Sequence, residues 1–368
     1  MAPITQLAFT YLYGITKPAK QPKKQRPSES PQGAWACEWC STPGMAVKAN
    51  WQSPNLTSAK RPQLWENALG LTTTGKKLAT SCAGALDIGF ASLTYLQIGL
   101  LGIVQGVTEL LPISSTAHMR VVPALLGWTD PGSAFSAAMQ LAALGAVMSY
   151  FWKDIRGVYA GSTAAIRRRD FSDPSFRLAV GIVLATLPIG IAGLALSGVL
   201  NACNSPLRGL MVIGVASIGM AVLLGISELT CRHERGVGQM RLRDALIVGV
   251  AQVGALIPGV SRSGSTLTGA LFLNFSREEA ARFSFLLGLP AIALAGLKEI
   301  LVLAQAHIPL DAWSHLMFGL LVASASAFAA IWGLMRFLEK FSTWPFVIYR
   351  AALGVFLIVA VSAGWLAN

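Results

Sequence analysis

Charge is scarce in this chain. Only 12% of its 368 residues are Asp, Glu, Lys or Arg, against 54% hydrophobic, and mean hydropathy is +0.56. A soluble domain carries about 25% charged residues, so a water-facing surface along the whole chain is excluded. The compact cofactor signatures are missing too: there is no Walker loop, no flavin or nicotinamide glycine motif and no Cys/His zinc set. The five cysteines are odd in number and scattered. Cys37-Glu-Trp-Cys40 is a CxxC with no second pair and no βαβ context. It reads as incidental, with zinc or redox chemistry as the alternatives. Cys203 and Cys231 fall at expected span ends and read as packing residues. The net charge is +12, yet no block resembles a nucleic-acid surface. What remains is the composition of a multi-pass membrane protein.

Residues 1–90 form a separate zone. They hold ten Lys and Arg against four acids, so half of the net charge lies there. The zone is rich in Lys, Ser, Thr, Pro and Gln, with neither sustained apolar periodicity nor the long apolar core of a secretory signal. Basic, hydroxyl-rich and acid-poor is the composition of an organelle transit peptide, with Met45-Ala-Val-Lys-Ala-Asn50 as a processing neighbourhood. A disordered tail or an early start codon is the alternative reading. Residues 91–368 are expected to form the membrane domain.

Apolar segments then fall at 92–111, 134–152, 177–200, 207–228, 245–257, 265–275, 283–305, 313–335 and 345–366. A span needs about 20 apolar residues, so 245–257 and 265–275 are too short. With Pro258-Gly259 and a hydroxyl cluster between them, they read as a re-entrant helix–loop–helix. Segment 92–111, followed by Pro112 and a short run to Leu126, behaves alike. Loop charge supports this topology. Lys153, Arg156, Arg167–Arg169, Arg232, Arg235, Arg241, Arg243, Arg277, Arg282, Arg336 and Lys340 all fall on one cytoplasm-equivalent side if both hairpins dip in and return. The expected fold is an all-α polytopic membrane protein of about six transmembrane helices, with two opposed re-entrant hairpins in an inverted repeat.

Polar residues concentrate in those hairpins. The first carries Gln105-Gly-Val-Thr-Glu109-Leu-Leu-Pro112-Ile-Ser114-Ser115-Thr116-Ala-His118. The second carries Gln252-Val-Gly-Ala-Leu-Ile-Pro258-Gly259-Val-Ser261-Arg262-Ser263-Gly264-Ser265-Thr266. Ionisable groups are expensive in apolar sequence, and Glu109 is the only acid between Asp87 and Asp130. Gln105 and Glu109 share a helix face. Pro112 breaks the helix there, and Ser114 or Ser115 can cap the next one, whose N-terminus binds anions. Ser115 and His118 are expected as neighbours one turn apart. Arg262 offers a planar fork for phosphate oxygens, and Gly259 permits close backbone approach. The set suits phosphoryl transfer on a lipid diphosphate. Either Ser115 or His118 is the candidate nucleophile, with Glu109 and Arg262 beside them. Gln105, Ser114, Thr116, Gly259, Ser261, Ser263 and Thr266 are candidate substrate contacts.

At these residues the chain resembles undecaprenyl-diphosphate phosphatases of the bacitracin-resistance type, cyanobacterial-like in its Ser-Ser-Thr-Ala-His run. The motifs stand here as Gln105-x-x-x-Glu109, Pro112 to His118, and Pro258 to Thr266, with Phe283–Pro290 and Pro345–Arg350 continuing the likeness. The resemblance implies hydrolysis of undecaprenyl or another polyprenyl diphosphate to the monophosphate, recycling the lipid carrier of cell-wall synthesis and conferring bacitracin resistance. It also implies a divalent cation, Mg²⁺ or Ca²⁺, held by Glu109 and Gln105. Two departures matter: Gln105 leaves a single carboxylate for the metal, and Ala117 stands where many members have glycine. Together with the leader, the likeness suggests a bacterial-type plasma membrane or a plastid inner envelope. The competing reading is a polyprenyl-phosphate transporter or flippase on the same fold. Oligomeric state, a homodimer included, stays open, and no nucleic-acid partner is expected.

Overall fold

The computed structural model describes residues 88–196, 207, 209–306 and 308–367. The leader up to residue 87, with Cys37 and Cys40, lies outside the described residues, as does Cys203. Phe90 is fully buried and stacks on Phe135, ring centroids 4.9 Å apart.

Among the described residues the architecture is helical. In chain order the helices are α1 (Tyr95–Leu110), α2 (Ser115–Leu126), α3 (Ser133–Tyr150), α4 (Trp152–Arg168), α5 (Pro174–Ala195), α6 (Leu210–Thr230), α7 (Leu242–Val253), α8 (Arg262–Phe272), α9 (Arg277–Gln305), α10 (Leu310–Lys340) and α11 (Trp344–Ser362). Local sequence sets the starts. Thr94 and Gln97 form a capping box on α1, Asp173 caps α5 ahead of Pro174, and Ser276 caps α9 with Glu278 and Glu279 in its first turn. Six helices, α3, α5, α6, α9, α10 and α11, are long and apolar enough to cross a membrane. They coincide with the six expected spans. The short helices α1, α2, α7 and α8 have 16, 12, 12 and 11 residues and form two helix–break–helix pairs at the two signatures.

The halves recur in order, α1-α2-α3-α5-α6 against α7-α8-α9-α10-α11, with α4 as an addition to the first. Packing exchanges between them: α1 packs on α10, and its counterpart α7 packs on α5. α3 meets α9 and α6 meets α11, each pairing equivalent elements, as a two-fold relation between halves requires. The largest buried cluster gathers Phe151, Leu267, Phe275, Phe283, Phe285 and Leu287 around α8 and α9.

Two features differ from the sequence reading. Residues 152–168, taken as a charged loop, form the amphipathic helix α4; its Lys and Arg disguise a helix that exposes Trp152, Tyr159 and Ile166. Several arginines read only as topological charges are also tied down. Arg235 pairs with Asp244, Arg277 with Glu228, and Arg282 with Asp154 and Glu279. They join helix ends as well as biasing topology. Cys231 is half-buried, with Sγ 3.3 Å from the carbonyl of Phe275, in keeping with a packing residue.

Candidate active site

Each break is built the same way. Leu111 and Ile257, preceding Pro112 and Pro258, are extended, the conformation a following proline imposes. Each chain then passes through a serine at positive φ, Ser114 at 76° and Ser261 at 72°, before the second helix begins. Each serine is that helix's N-cap: Ser114 Oγ accepts from Ala117 N at 3.4 Å and Ser261 Oγ from Gly264 N at 3.2 Å. A non-glycine residue held there costs about 1–3 kcal/mol, a strain that gathers at functional sites. The second break also needs Gly259, at φ 96°, because a Cβ there would lie 2.7 Å from the carbonyl oxygen of Ile213. Glycine alone lets this break seat on α6.

The two breaks meet at one carboxylate. Glu109, in the last turn of α1 and 6% exposed, accepts at Oε2 from Ser115 Oγ (2.5 Å) and from Gln105 Nε2 (3.0 Å). Its Oε1 accepts from Arg262 at 3.0 Å. Ser115 and Arg262 are the residues immediately after the two cap serines, so the symmetric scaffold delivers a hydroxyl and a guanidinium to the same acid. Gly288 makes room for this, since a Cβ there would fall 2.0 Å from an Arg262 guanidinium nitrogen.

The other expected site residues divide. His118 does not meet Ser115: Nδ1 lies 2.7 Å from the carbonyl oxygen of Ser114, and Nε2 lies 2.6 Å from Tyr349 Oη. Ser115 and His118, expected from their spacing as neighbours, bond elsewhere, and the Ser115 hydroxyl stands on Glu109. Ser263 donates to the carbonyls of Glu109 and Leu111, both at 3.2 Å, and so ties one hairpin to the other. Thr266 bonds the carbonyl of Arg262 at 2.8 Å and pairs with Ser284. Ser261, Ser263 and Thr266 are buried and engaged inside the protein, whereas Thr116 is exposed at the start of α2, with its hydroxyl 3.2 Å from that of Ser114.

Arg350 is the residue that sequence reasoning passed over. It is 1% exposed on α11 and donates to Pro112 O (2.9 Å), Gly259 O (2.7 Å) and Val260 O (3.0 Å). One guanidinium thus satisfies carbonyls freed by both breaks. The available signal was an arginine inside the apolar run 345–366, a position where charge is kept only for a purpose.

A divalent cation would find few protein ligands at these residues. Among the described residues no group of three or more His, Cys, Asp or Glu could hold a metal ion, and Arg262 already occupies one oxygen of Glu109. Gln105, which donates Nε2 to Glu109, carries an amide oxygen as the other candidate donor. One carboxylate and an amide oxygen suit a hard ion whose coordination is completed by phosphate oxygens and water.

Residues 98–356 match the family model described as bacitracin resistance protein BacA. The chain belongs to this family. It is 70% identical over 263 residues to undecaprenyl-diphosphatase 2 of Mesorhizobium japonicum, covering 72% of this chain and 100% of that protein. It is 50% identical over 275 residues to an undecaprenyl-diphosphatase of Gloeobacter violaceus (73% of this chain, 94% of the relative). It is 48% identical over 281 residues to one of Nostoc sp. (76% and 88%). Family and apolar helices together make this BacA-family chain a multi-pass integral-membrane protein.

Proposed function

We propose that the chain hydrolyses undecaprenyl diphosphate, or a closely related polyprenyl diphosphate, to the monophosphate and phosphate. The lipid carrier of cell-wall synthesis is thereby recycled, which is also the basis of bacitracin resistance. The two helix–break–helix pairs act as opposed re-entrant hairpins whose tips share the site. The observation that carries this reading is the Ser115 hydroxyl donating to Glu109 while Arg262 donates to the other oxygen of the same carboxylate. The relatives' shared name supports the substrate.

In this mechanism Ser115 Oγ attacks the terminal phosphorus as Glu109 Oε2 takes its proton, and the phosphoanhydride P–O bond breaks to release the lipid monophosphate. The departing lipid phosphate carries that proton away from Glu109. Water then attacks the phosphoserine, giving a proton to Glu109, which returns it to Ser115 Oγ as the serine–phosphate bond breaks and phosphate leaves. Arg262 turns its fork to the transferring phosphoryl oxygens, and the backbone N–H groups opening α2 and α8 face the same charge. Glu109 and Gln105 would hold a Mg²⁺ or Ca²⁺ ion, which would supply neutralisation of the diphosphate charge.

The test is phosphate release by purified protein in detergent, with and without chelator. Release in the absence of a second compartment is expected, and chelation should suppress it. Tight binding of the lipid without release would favour a transporter. The composition of residues 1–90 supports delivery to an organelle, with a plastid inner envelope as destination. Deleting 1–80 should then leave activity intact in reconstituted membranes and misdirect a fluorescent fusion in plant cells. Correct delivery of the truncated fusion would overturn the targeting role.

A further inference from the structure

The contacts of His118 prescribe its hydrogens. Its Nδ1 faces the carbonyl oxygen of Ser114 at 2.7 Å, and a carbonyl can only accept, so Nδ1 carries the proton. The neutral ring then presents Nε2 as an acceptor, and the Tyr349 hydroxyl donates to it at 2.6 Å. The two rings lie nearly parallel, 10° apart, with centroids separated by 5.7 Å. His118 is 7% exposed, and both of its nitrogens are already engaged.

This chain of bonds ends on strained backbone. Ser114 is the positive-φ cap, and the next residue is Ser115. Its carbonyl accepts from the backbone N–H of His118 (3.3 Å) as well as from the ring. Two residues earlier, the same break is held at Pro112 O by Arg350, the sequence neighbour of Tyr349. One dipeptide on α11 therefore grips the first break at both ends.

We infer that Tyr349 is a positioning residue for phosphoryl transfer, acting through His118 to hold Ser114 so that the Ser115 hydroxyl stays on Glu109. His118 transmits position and does not exchange protons with the substrate. This rests on the diphosphatase reading and deepens it.

Two variants and one spectrum test it. Tyr349→Phe keeps the ring and removes only the hydroxyl; kcat should fall about tenfold, the worth of one neutral hydrogen bond, with KM little changed. His118→Asn places an amide donor where Nδ1 stands but cannot accept a proton. It should stay within about tenfold of wild type, whereas loss of a general base costs about 10²–10⁴. Adding Tyr349→Phe to His118→Asn should lower kcat no further. Nitrogen-15 NMR of histidine-labelled protein, with His118 assigned by its loss in the Asn variant, should show an Nδ1-protonated neutral ring whose Nε2 resonance shifts in Tyr349→Phe. Additive losses in the double variant, a His118→Asn loss of a thousandfold or more, or an Nε2-protonated ring in the wild type would each overturn the inference. Wild-type protein that releases no phosphate would sink the diphosphatase reading instead, while the spectrum still reports on the strut.

Discussion

The two breaks share a design, and two of the positions at which they differ carry the chemistry. Gln105 and Gln252, the two prolines, and the cap serines Ser114 and Ser261 recur in the same order. Where the first break has Glu109 and Ser115, the equivalent positions of the second hold Leu256 and Arg262. The first half therefore contributes the acid and the hydroxyl, and the second contributes the cation. Two acids facing each other in a dry site would repel, and two arginines would leave the phosphate without a base. Dividing the charges between halves gives a pair that is neutral at rest, with Arg262 and Glu109 satisfying one another.

The largest effects should come from the first break. Ser115→Ala should lower turnover at least about 1,000-fold, since among the described residues no other side chain stands on Glu109 with an attacking oxygen. Glu109→Gln should cost between about 100- and 10,000-fold. A labelled phosphohistidine trapped from wild-type enzyme, or full activity in Ser115→Ala, would reverse the assignment of nucleophile. On the second break, Arg262→Lys should lose about 100-fold while the protein still inserts, because lysine keeps the charge and loses the bidentate fork. Arg262→Ala is less informative, as it leaves Glu109 buried without its counter-charge. Turnover near wild type in the Lys variant would make Arg262 a topological charge only.

Gly288 tests whether placement of the cation matters as much as its presence. Gly288→Ala puts a methyl group where the Arg262 guanidinium now lies, and helix α9 should tolerate alanine well. The arginine must swing away, and turnover should fall between about 10- and 100-fold with thermal stability unchanged or raised. Unchanged turnover would mean that Arg262 finds its phosphate from more than one position.

These contrasts also mark what sequence could reveal. The six spans were legible because a bilayer demands long apolar runs, and the breaks because proline, glycine and serine clusters interrupt them. The acid, the hydroxyl and Arg262 were legible for the same reason: each is costly where it stands. Helix spacing could not tell that Ser115 turns to Glu109 and His118 to Tyr349, because both partnerships depend on how separate elements pack. Arg350 and Tyr349 lie far along the chain from either break, at the start of an ordinary-looking span. The hydroxyls of Ser263 and Thr266 suggested phosphate contacts, yet a broken helix leaves carbonyls that need donors, and these side chains answer that need first.

The smallest effect isolates the glutamines. Gln105 donates to Glu109, but its counterpart Gln252 faces a hairpin with leucine in the acid's place. Gln252 is fully buried, and among the described residues neither atom of its side-chain amide has a hydrogen-bond partner. An unsatisfied buried amide costs about 1–3 kcal/mol. Gln252→Met, close in length and volume, should therefore leave turnover unchanged and raise stability by about 1 kcal/mol, read as a higher unfolding temperature in detergent. Gln105→Met removes a donor from Glu109 and should lower turnover without that gain. If Gln252→Met instead destabilises the protein or reduces turnover as Gln105→Met does, the second amide has a partner in the working enzyme, and the two halves share more of the chemistry than their geometry divides between them.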